Sequence, residues 1–297
     1  MQAEAAPPKS WTIGSLVKWA AEDFRARGIE NPRLDAELIV AHALGIDRTR
    51  VIIDANRPLE GPELAKLREL VKRRRAHEPI AYLRGEREFY GLRFRVDRRV
   101  LIPRPDTEVL VDVALERTRH VSLSMRMLDL CTGSGCVAVA VARQRPTAKI
   151  LASDLSDDAI AVARANAYRL GAYNVAFVKS DLFASIPPVY GGKVDIVTAN
   201  PPYIPTSEIE TLQPDIKEFE PRLALDGGVD GLDLVRRIAR DAPARLVPGG
   251  VLALEIGAGE SAATIAILEE HGFGDVRAHR DFGRIERVVS GVFPCTR

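Results

Sequence analysis

Asn200-Pro201-Pro202-Tyr203 is the segment of this 297-residue chain whose residue types most plainly invite chemistry. Two consecutive prolines stiffen the backbone and remove its N–H donors. The side-chain oxygen of Asn200 and the carbonyl of Pro201 are then held as two acceptors, and Tyr203 adds a flat face. Such a set suits a planar NH2 group with a delocalised lone pair, either an amide or the exocyclic amine of a base. Two acceptors take its protons and turn lone-pair density toward an electrophile. Hydride transfer would instead want a His, Tyr or Lys acid/base, and none stands out. The structural alternative is a rigid Pro-Pro turn.

A second constellation is Asp129-Leu130-Cys131-Thr132-Gly133-Ser134-Gly135-Cys136. Its glycines permit a tight turn and close approach to a ligand. The helix that follows offers free N–H groups at its start. Asp154 stands 19 residues after Gly135, at the end of the next strand. A carboxylate there can accept from both hydroxyls of a ribose. With Ala138 the run satisfies a Gly-x-Gly-x-x-Gly/Ala dinucleotide fingerprint, which by itself does not separate NAD from another adenosine cofactor. The alternative is a strand-to-helix turn without a ligand. Asp181, in Ser180-Asp181-Leu182-Phe183, is placed to meet an adenine amino group with Leu182 or Phe183 against the ring, or else to cap a helix.

These residues need a scaffold. From Arg126 onward, short apolar segments alternate with helical ones. Strands are expected at 127–130, 149–152, 175–178, 194–197 and 251–256, with helices from Val137 and over 157–170. This rhythm implies a parallel sheet covered by helices, which binds ligands at the carboxyl ends of its strands. The N-terminal third reads as a helical bundle. Ser10 or Thr12 caps a first helix with Ile13, Leu16, Val17, Ala20 and Phe24 on one face. Asn31-Pro32 opens a second, with Leu34, Leu38, Ala41 and Leu44 as its apolar face. Gly61-Pro62 opens a third, with Leu64, Leu67, Leu70 and Val71. Phe89-Tyr90-Gly91-Leu92 with Phe94, Val96 and Val100 reads as a β-hairpin. The expected division is 1–78 helical bundle, 79–105 hairpin linker and 106–297 α/β domain. Seven arginines between 84 and 104 face Glu86, Glu88 and Asp97. They read either as a solvated linker face or as a docking face for an acidic partner.

Composition narrows the class. Lys and Arg total 42 against 41 acidic residues, a net charge of +1, so no sequence-blind nucleic-acid binder is indicated. The longest apolar run, Cys136 to Ala142, is far shorter than the about 20 residues of a membrane span. Met1 to Pro8 reads as no secretory signal. Cys131, Cys136 and Cys295 form neither a disulfide framework nor a zinc motif. A cytoplasmic protein without a resident metal is expected.

Taken together, these motifs resemble the HemK/PrmC family of protein-(glutamine-N5) methyltransferases over nearly the whole chain. The residues that carry the resemblance are 79–85, 88–92 and Val100 through Pro103-Arg104-Pro105-Asp106-Thr107-Glu108. The glycine loop, Asn200 to Ile204, Glu220 to Leu225 and Asp281-Phe282-Gly283-Arg284 complete it. The resemblance implies a class I S-adenosylmethionine-dependent methyltransferase fold, Rossmann-like. Its sheet would be mostly parallel and seven-stranded, with the last strand antiparallel and a closing hairpin from Ala278 to Phe293.

It also implies S-adenosyl-L-methionine as methyl donor and S-adenosyl-L-homocysteine as product. The target would be the glutamine of the Gly-Gly-Gln motif in class 1 peptide chain release factors. In that reading Cys131, Thr132, Gly133, Ser134 and Gly135 hold the methionine end. Asp154 holds the ribose, Asp181 with Leu182 the adenine, and Asn200, Pro201, Pro202 and Tyr203 the substrate amide, with Asn200 also bordering the cofactor. The enzyme is expected to be a monomer with no direct nucleic-acid contact.

Position 131 is Cys where many members have Gly. Sister enzymes that methylate a glutamine of a large-subunit ribosomal protein also carry Cys there, but resemble Pro-Arg-Ser-Pro after the hairpin. Ribosomal-protein methylation, adenine-N6 methylation of DNA and a non-catalytic cofactor-binding module are the alternatives. Residues 1–85 hold 15 Lys/Arg against 12 Asp/Glu, little for a DNA-facing domain.

Overall fold

The structure, a computed structural model, describes residues 10–121 and 124–294. Cys295 and the segment Met1 to Pro8 lie outside the described residues. Internal contacts divide the chain into two units. One comprises the chain up to Gly85 with Pro214–Phe219, and the other Glu86–Gln213 with the chain from Glu220.

The first unit contains α1 (Ile13–Ala26), α2 (Pro32–Leu44), α3 (Arg48–Ile53), α4 (Gly61–Arg75) and α5 (Ile80–Arg84). Thr12 caps α1 through its hydroxyl, as expected, and Gly45 ends α2 in the left-handed conformation. Ile13, Ala20, Phe24, Ile39 and Leu67 fill the core. The apolar face expected for α2 is buried only in part: Ala41 is buried, Leu38 and Leu44 are half-buried and Leu34 is exposed, while Asp35 and Glu37 are buried beside Ala36, Ile39 and Val40. Ion pairs explain the buried carboxylates. Asp35 meets Arg74 at 2.8 Å, and Glu37 is held by Arg33 and Arg48. Buried charges of this kind read as polar in a hydrophobicity pattern and displace its apparent phase. The short helices α3 and α5 were not expected from patterning.

The second unit opens with the antiparallel hairpin β1 (Glu86–Phe89) and β2 (Leu92–Arg95), which turns at Tyr90-Gly91. Val96 and Val100 are buried but lie beyond the strand. There follow α6 (Glu108–Arg117), β3 (Arg126–Leu130), α7 (Cys136–Gln144), β4 (Lys149–Asp154), α8 (Asp157–Arg169), β5 (Val175–Lys179) and β6 (Val194–Ala199). The chain contributes the short α9 (Pro214–Lys217) to the first unit. It then returns for α10 (Asp233–Asp241), β7 (Leu246–Glu255), α11 (Ser261–Glu270), β8 (Gly274–Arg280) and β9 (Glu286–Val292).

Seven strands form one sheet in the order β5-β4-β3-β6-β7-β9-β8. β5 to β7 pair in parallel, and β9 pairs antiparallel with both β7 and β8. The expected sheet and closing hairpin are thus present. β3, β6 and β7 are apolar almost throughout because helices cover both faces of the sheet, leaving no solvent side to alternate toward. The chain reverses direction across the sheet at β3, which is where ligand crevices form in such folds.

The hairpin is tied to this unit by named bonds. Asn166 of α8 exchanges hydrogen bonds with the Arg95 backbone and donates to the Ser134 carbonyl. Glu108 accepts from the Tyr90 N–H at 2.7 Å. No helix among the described residues is long and apolar enough to cross a membrane.

Candidate active site

The carboxyl ends of β5, β4, β3 and β6 bring Asp181, Asp154, Cys131 and Asn200 to one cavity in that spatial order. Three inter-strand steps span about 14 Å, so the site suits an elongated ligand. The cavity measures about 310 Å³ and is also lined by Thr132, Gly133, Ser134, Leu182 and Pro202. Gly135, Pro201 and Tyr203 are not among its lining residues.

The glycine loop is anchored from below by Asp129. This buried carboxylate accepts from the Thr132 hydroxyl at 2.6 Å and the Thr198 hydroxyl at 2.7 Å. Burial pushes its pKa up to about 6, against the lowering effect of both hydroxyls. Gly135 precedes α7 with φ of 80°, which a side chain disfavours, and a Cβ there would crowd that of Ala163 on α8 at 3.1 Å. Cys131 also holds a positive φ of 54°, which a β-carbon disfavours. The residue borders the cavity, and burial with the charges of Asp154, Asp129 and Asp181 pushes the thiol pKa up, away from nucleophilic thiolate.

Asp154 accepts from the Gly133 N–H at 2.8 Å and the Ser156 N–H at 3.0 Å. Burial still holds its pKa above the usual carboxylate range. The carboxylate therefore links the end of β4 to the glycine loop. Asp181 follows β5, and its two oxygens meet Nη2 of Arg237 at 2.9 and 2.8 Å. Arg237, on α10, also lines the cavity, and no sequence motif pointed to it. Leu182 is buried at positive φ and lines the cavity. Phe183 is buried away from it.

Asn200 directs Nδ2 to the Thr107 hydroxyl at 3.3 Å, which turns its oxygen away from that donor. Pro201 is buried, and its carbonyl receives no backbone N–H among the described residues. The segment after it is clasped by residues 225–231, which the motif reading missed. Ile204 N–H donates to the Leu225 carbonyl at 3.0 Å, and Gly227 N–H to the Ile204 carbonyl at 2.9 Å. A Cβ at Gly227 would lie 2.7 Å from Tyr203 Cα and 2.8 Å from the Pro202 oxygen, so only glycine permits this approach. Burial raises the pKa of Tyr203, which therefore stays a neutral phenol.

Two distant motifs also meet here. Arg104 pairs with Glu220 at 2.6 Å, and Glu220 accepts from the Ile102 N–H at 3.2 Å. Of the seven hairpin-region arginines, Arg99 and Arg104 border the cavity. Both are paired within this unit, Arg99 with Asp97.

Residues 15–85 match the model described as PrmC N-terminal domain, and residues 105–219 match the Methyltransferase small domain. The release factor glutamine methyltransferase of Geobacter sulfurreducens is 43% identical over 284 residues, covering 96% of this chain and 98% of that protein. The protein of the same name from Chlorobaculum tepidum is 40% identical, covering 95% and 97%. The solved hMettl16 catalytic domain superposes with a TM-score of 0.55 at 16% identity, covering 80% of this chain and 83% of that one, a likeness of fold alone. Sequence identity sustained over nearly the full length of both relatives shows that the chain belongs to the family of release factor glutamine methyltransferases.

Proposed function

We propose that this protein transfers a methyl group from S-adenosyl-L-methionine to the side-chain amide nitrogen of the glutamine in the Gly-Gly-Gln motif of class 1 release factors. The observation that carries this reading is the setting of Asn200. Its amide is tied to Thr107 by the nitrogen, at the wall of a cavity bordered by the glycine loop. That leaves one side-chain oxygen and the Pro201 carbonyl as acceptors for two amide protons.

The residues present fit the cofactor. Cys131 to Gly135 and the start of α7 would hold its methionine end, Asp154 the ribose, and Asp181 with Leu182 the adenine. Arg237 would keep the Asp181 carboxylate in place. When bound, this cofactor supplies an electrophilic methyl group on a sulfonium. The protein's own task is then alignment and electrostatics. Asn200 and Pro201 orient the substrate NH2, while Pro202 and Tyr203 set its plane. No base needs to act first, because an amide N–H is far too weakly acidic. The proton leaves during or after transfer, when the nitrogen has become acidic.

The N-terminal bundle, 1–78, would grip the release factor away from its Gly-Gly-Gln loop, with 79–105 as linker and 106–297 as the catalytic domain. Labelled S-adenosylmethionine, offered with a release factor, a large-subunit ribosomal protein or DNA, tests the reading. Label on the release factor is expected. Label confined to the ribosomal protein or to DNA would overturn it.

A further inference from the structure

Glu255 ends β7 and sits behind the cavity wall. Thr107 and Asn200 line the cavity, and Glu255 does not. The residue is 2% exposed, and its Oε2 has no hydrogen-bond partner among the described residues. Ala199 of β6 pairs with Leu254 of β7, which sets Asn200 and Glu255 side by side at the ends of adjacent strands, and the Asn200 amide donates to the Thr107 hydroxyl at 3.3 Å. Asp106 and Arg287 are the charged groups that act on it from neighbouring elements, and Tyr203 and Cys136 lie within its field. Arg287 is itself shared with Asp106 at 3.0 Å and Asp281 at 3.1 Å, so it is not a dedicated counter-ion. A buried carboxylate so weakly compensated is costly. The preceding β7 residues Leu252, Ala253 and Leu254 show that the strand otherwise carries apolar side chains.

We propose that Glu255 is a positioning residue whose carboxylate, with Thr107, holds the Asn200 amide in the orientation that presents its oxygen to the substrate NH2. The inference rests on the methyl-transfer reading of this site. An asparagine amide has nearly the same shape when flipped, but then presents a donor. Facing a substrate NH2, a flipped Asn200 sets donor against donor. An ionised carboxylate can only accept, so it holds the nitrogen end of Asn200 and excludes the flip. A protonated one carries an O–H that can instead bond the Asn200 oxygen, which permits it. Burial pushes the Glu255 pKa up to about 7, ahead of the lowering by Thr107 and Asn200. The productive orientation is therefore selected above neutrality and lost as pH falls through it.

The test is the pH dependence of kcat on a release factor, with both substrates saturating, for the full-length wild type, Glu255→Gln, Thr107→Val and Thr107→Ser. Binding of S-adenosylhomocysteine is measured alongside. The wild-type kcat should fall on the acid side of neutrality, approaching about tenfold per pH unit. Glu255→Gln should lose this limb and run about 10- to 100-fold slower at about pH 8, the scale of a small misplacement at a reacting group. Its S-adenosylhomocysteine affinity should be unchanged. Thr107→Val should lose rate in the same way, and Thr107→Ser should recover it.

A Glu255→Gln variant with wild-type kcat, or with the same acid limb, overturns the inference. Should that variant fail to fold, a wild-type profile without an acid limb, or Thr107→Val at full rate, overturns it as well. A wild type that binds S-adenosylhomocysteine yet transfers nothing to the release factor overturns the functional reading and this inference with it. An active wild type beside an indifferent Glu255→Gln overturns the inference alone.

Discussion

Asn200 is the residue on which most of the proposed chemistry turns. Asn200→Ala removes one preorganised acceptor while leaving the glycine loop and Asp154 intact, so kcat should fall by about 100-fold or more with cofactor binding little changed. Asn200→Asp keeps an acceptor but adds a negative charge that draws the sulfonium. Its rate should lie between those of Asn200→Ala and the wild type. Calorimetry with S-adenosylhomocysteine separates this from Asp154→Ala, which should weaken cofactor binding by about 1–3 kcal/mol through lost hydrogen bonds. Asp154 also holds the Gly133 N–H, so part of that loss is expected to come from a loosened loop. Cys131 stands at positive φ with its thiol kept protonated. Cys131→Gly relieves that backbone and should remain active. Abolished transfer with cofactor binding retained would give the thiol a role that direct transfer does not require.

At the scale of elements, the clasp on the Asn200 loop makes the sharpest demand. Gly227→Ala places a methyl group against Tyr203 Cα and the Pro202 oxygen. The loop must shift, and a displacement of about 1 Å at a reacting group costs about 100-fold in rate. Cofactor affinity should survive, since β3, β4 and β5 are untouched. Full activity in Gly227→Ala would show that the clasp is slack.

This clasp also marks the limit of what the residues alone disclose. Strands β3, β4, β6 and β7 were readable because buried parallel strands are continuous apolar runs, the half-buried edge strand β5 because Val175, Phe177 and Val178 favour extended backbone, and the loops after β3 to β6 carry compact motifs. Asp129, Asp154 and Asn200 stand next to those runs. Gly227, Arg237 and Glu255 belong to no such motif and reach the site only through the fold. The phase error in α2 has the opposite origin. There Asp35 and Glu37 are buried beside Ala36, Ile39 and Val40 because Arg74, Arg33 and Arg48 pair with them, while Leu34 is left exposed.

At the scale of the whole molecule, the proposed division of labour separates recognition of the release factor from chemistry on its glutamine. Deleting residues 1–76 should leave S-adenosylhomocysteine binding nearly intact. Transfer to a full-length release factor should fall far more than transfer to a short Gly-Gly-Gln peptide. Equal losses on both would mean that the bundle only stabilises the fold. The first unit also takes Pro214–Phe219 from the later chain, so cofactor binding is the necessary control for damage to the second.

The central claim is that the acceptor is a glutamine amide, and tandem mass spectrometry of a release factor after incubation with enzyme and S-adenosylmethionine tests it most directly. The account predicts one added methyl group on the side chain of the Gly-Gly-Gln glutamine, and its loss with Asn200→Ala. A methyl group on any other residue, or an unmodified glutamine after full turnover of the donor, would contradict it.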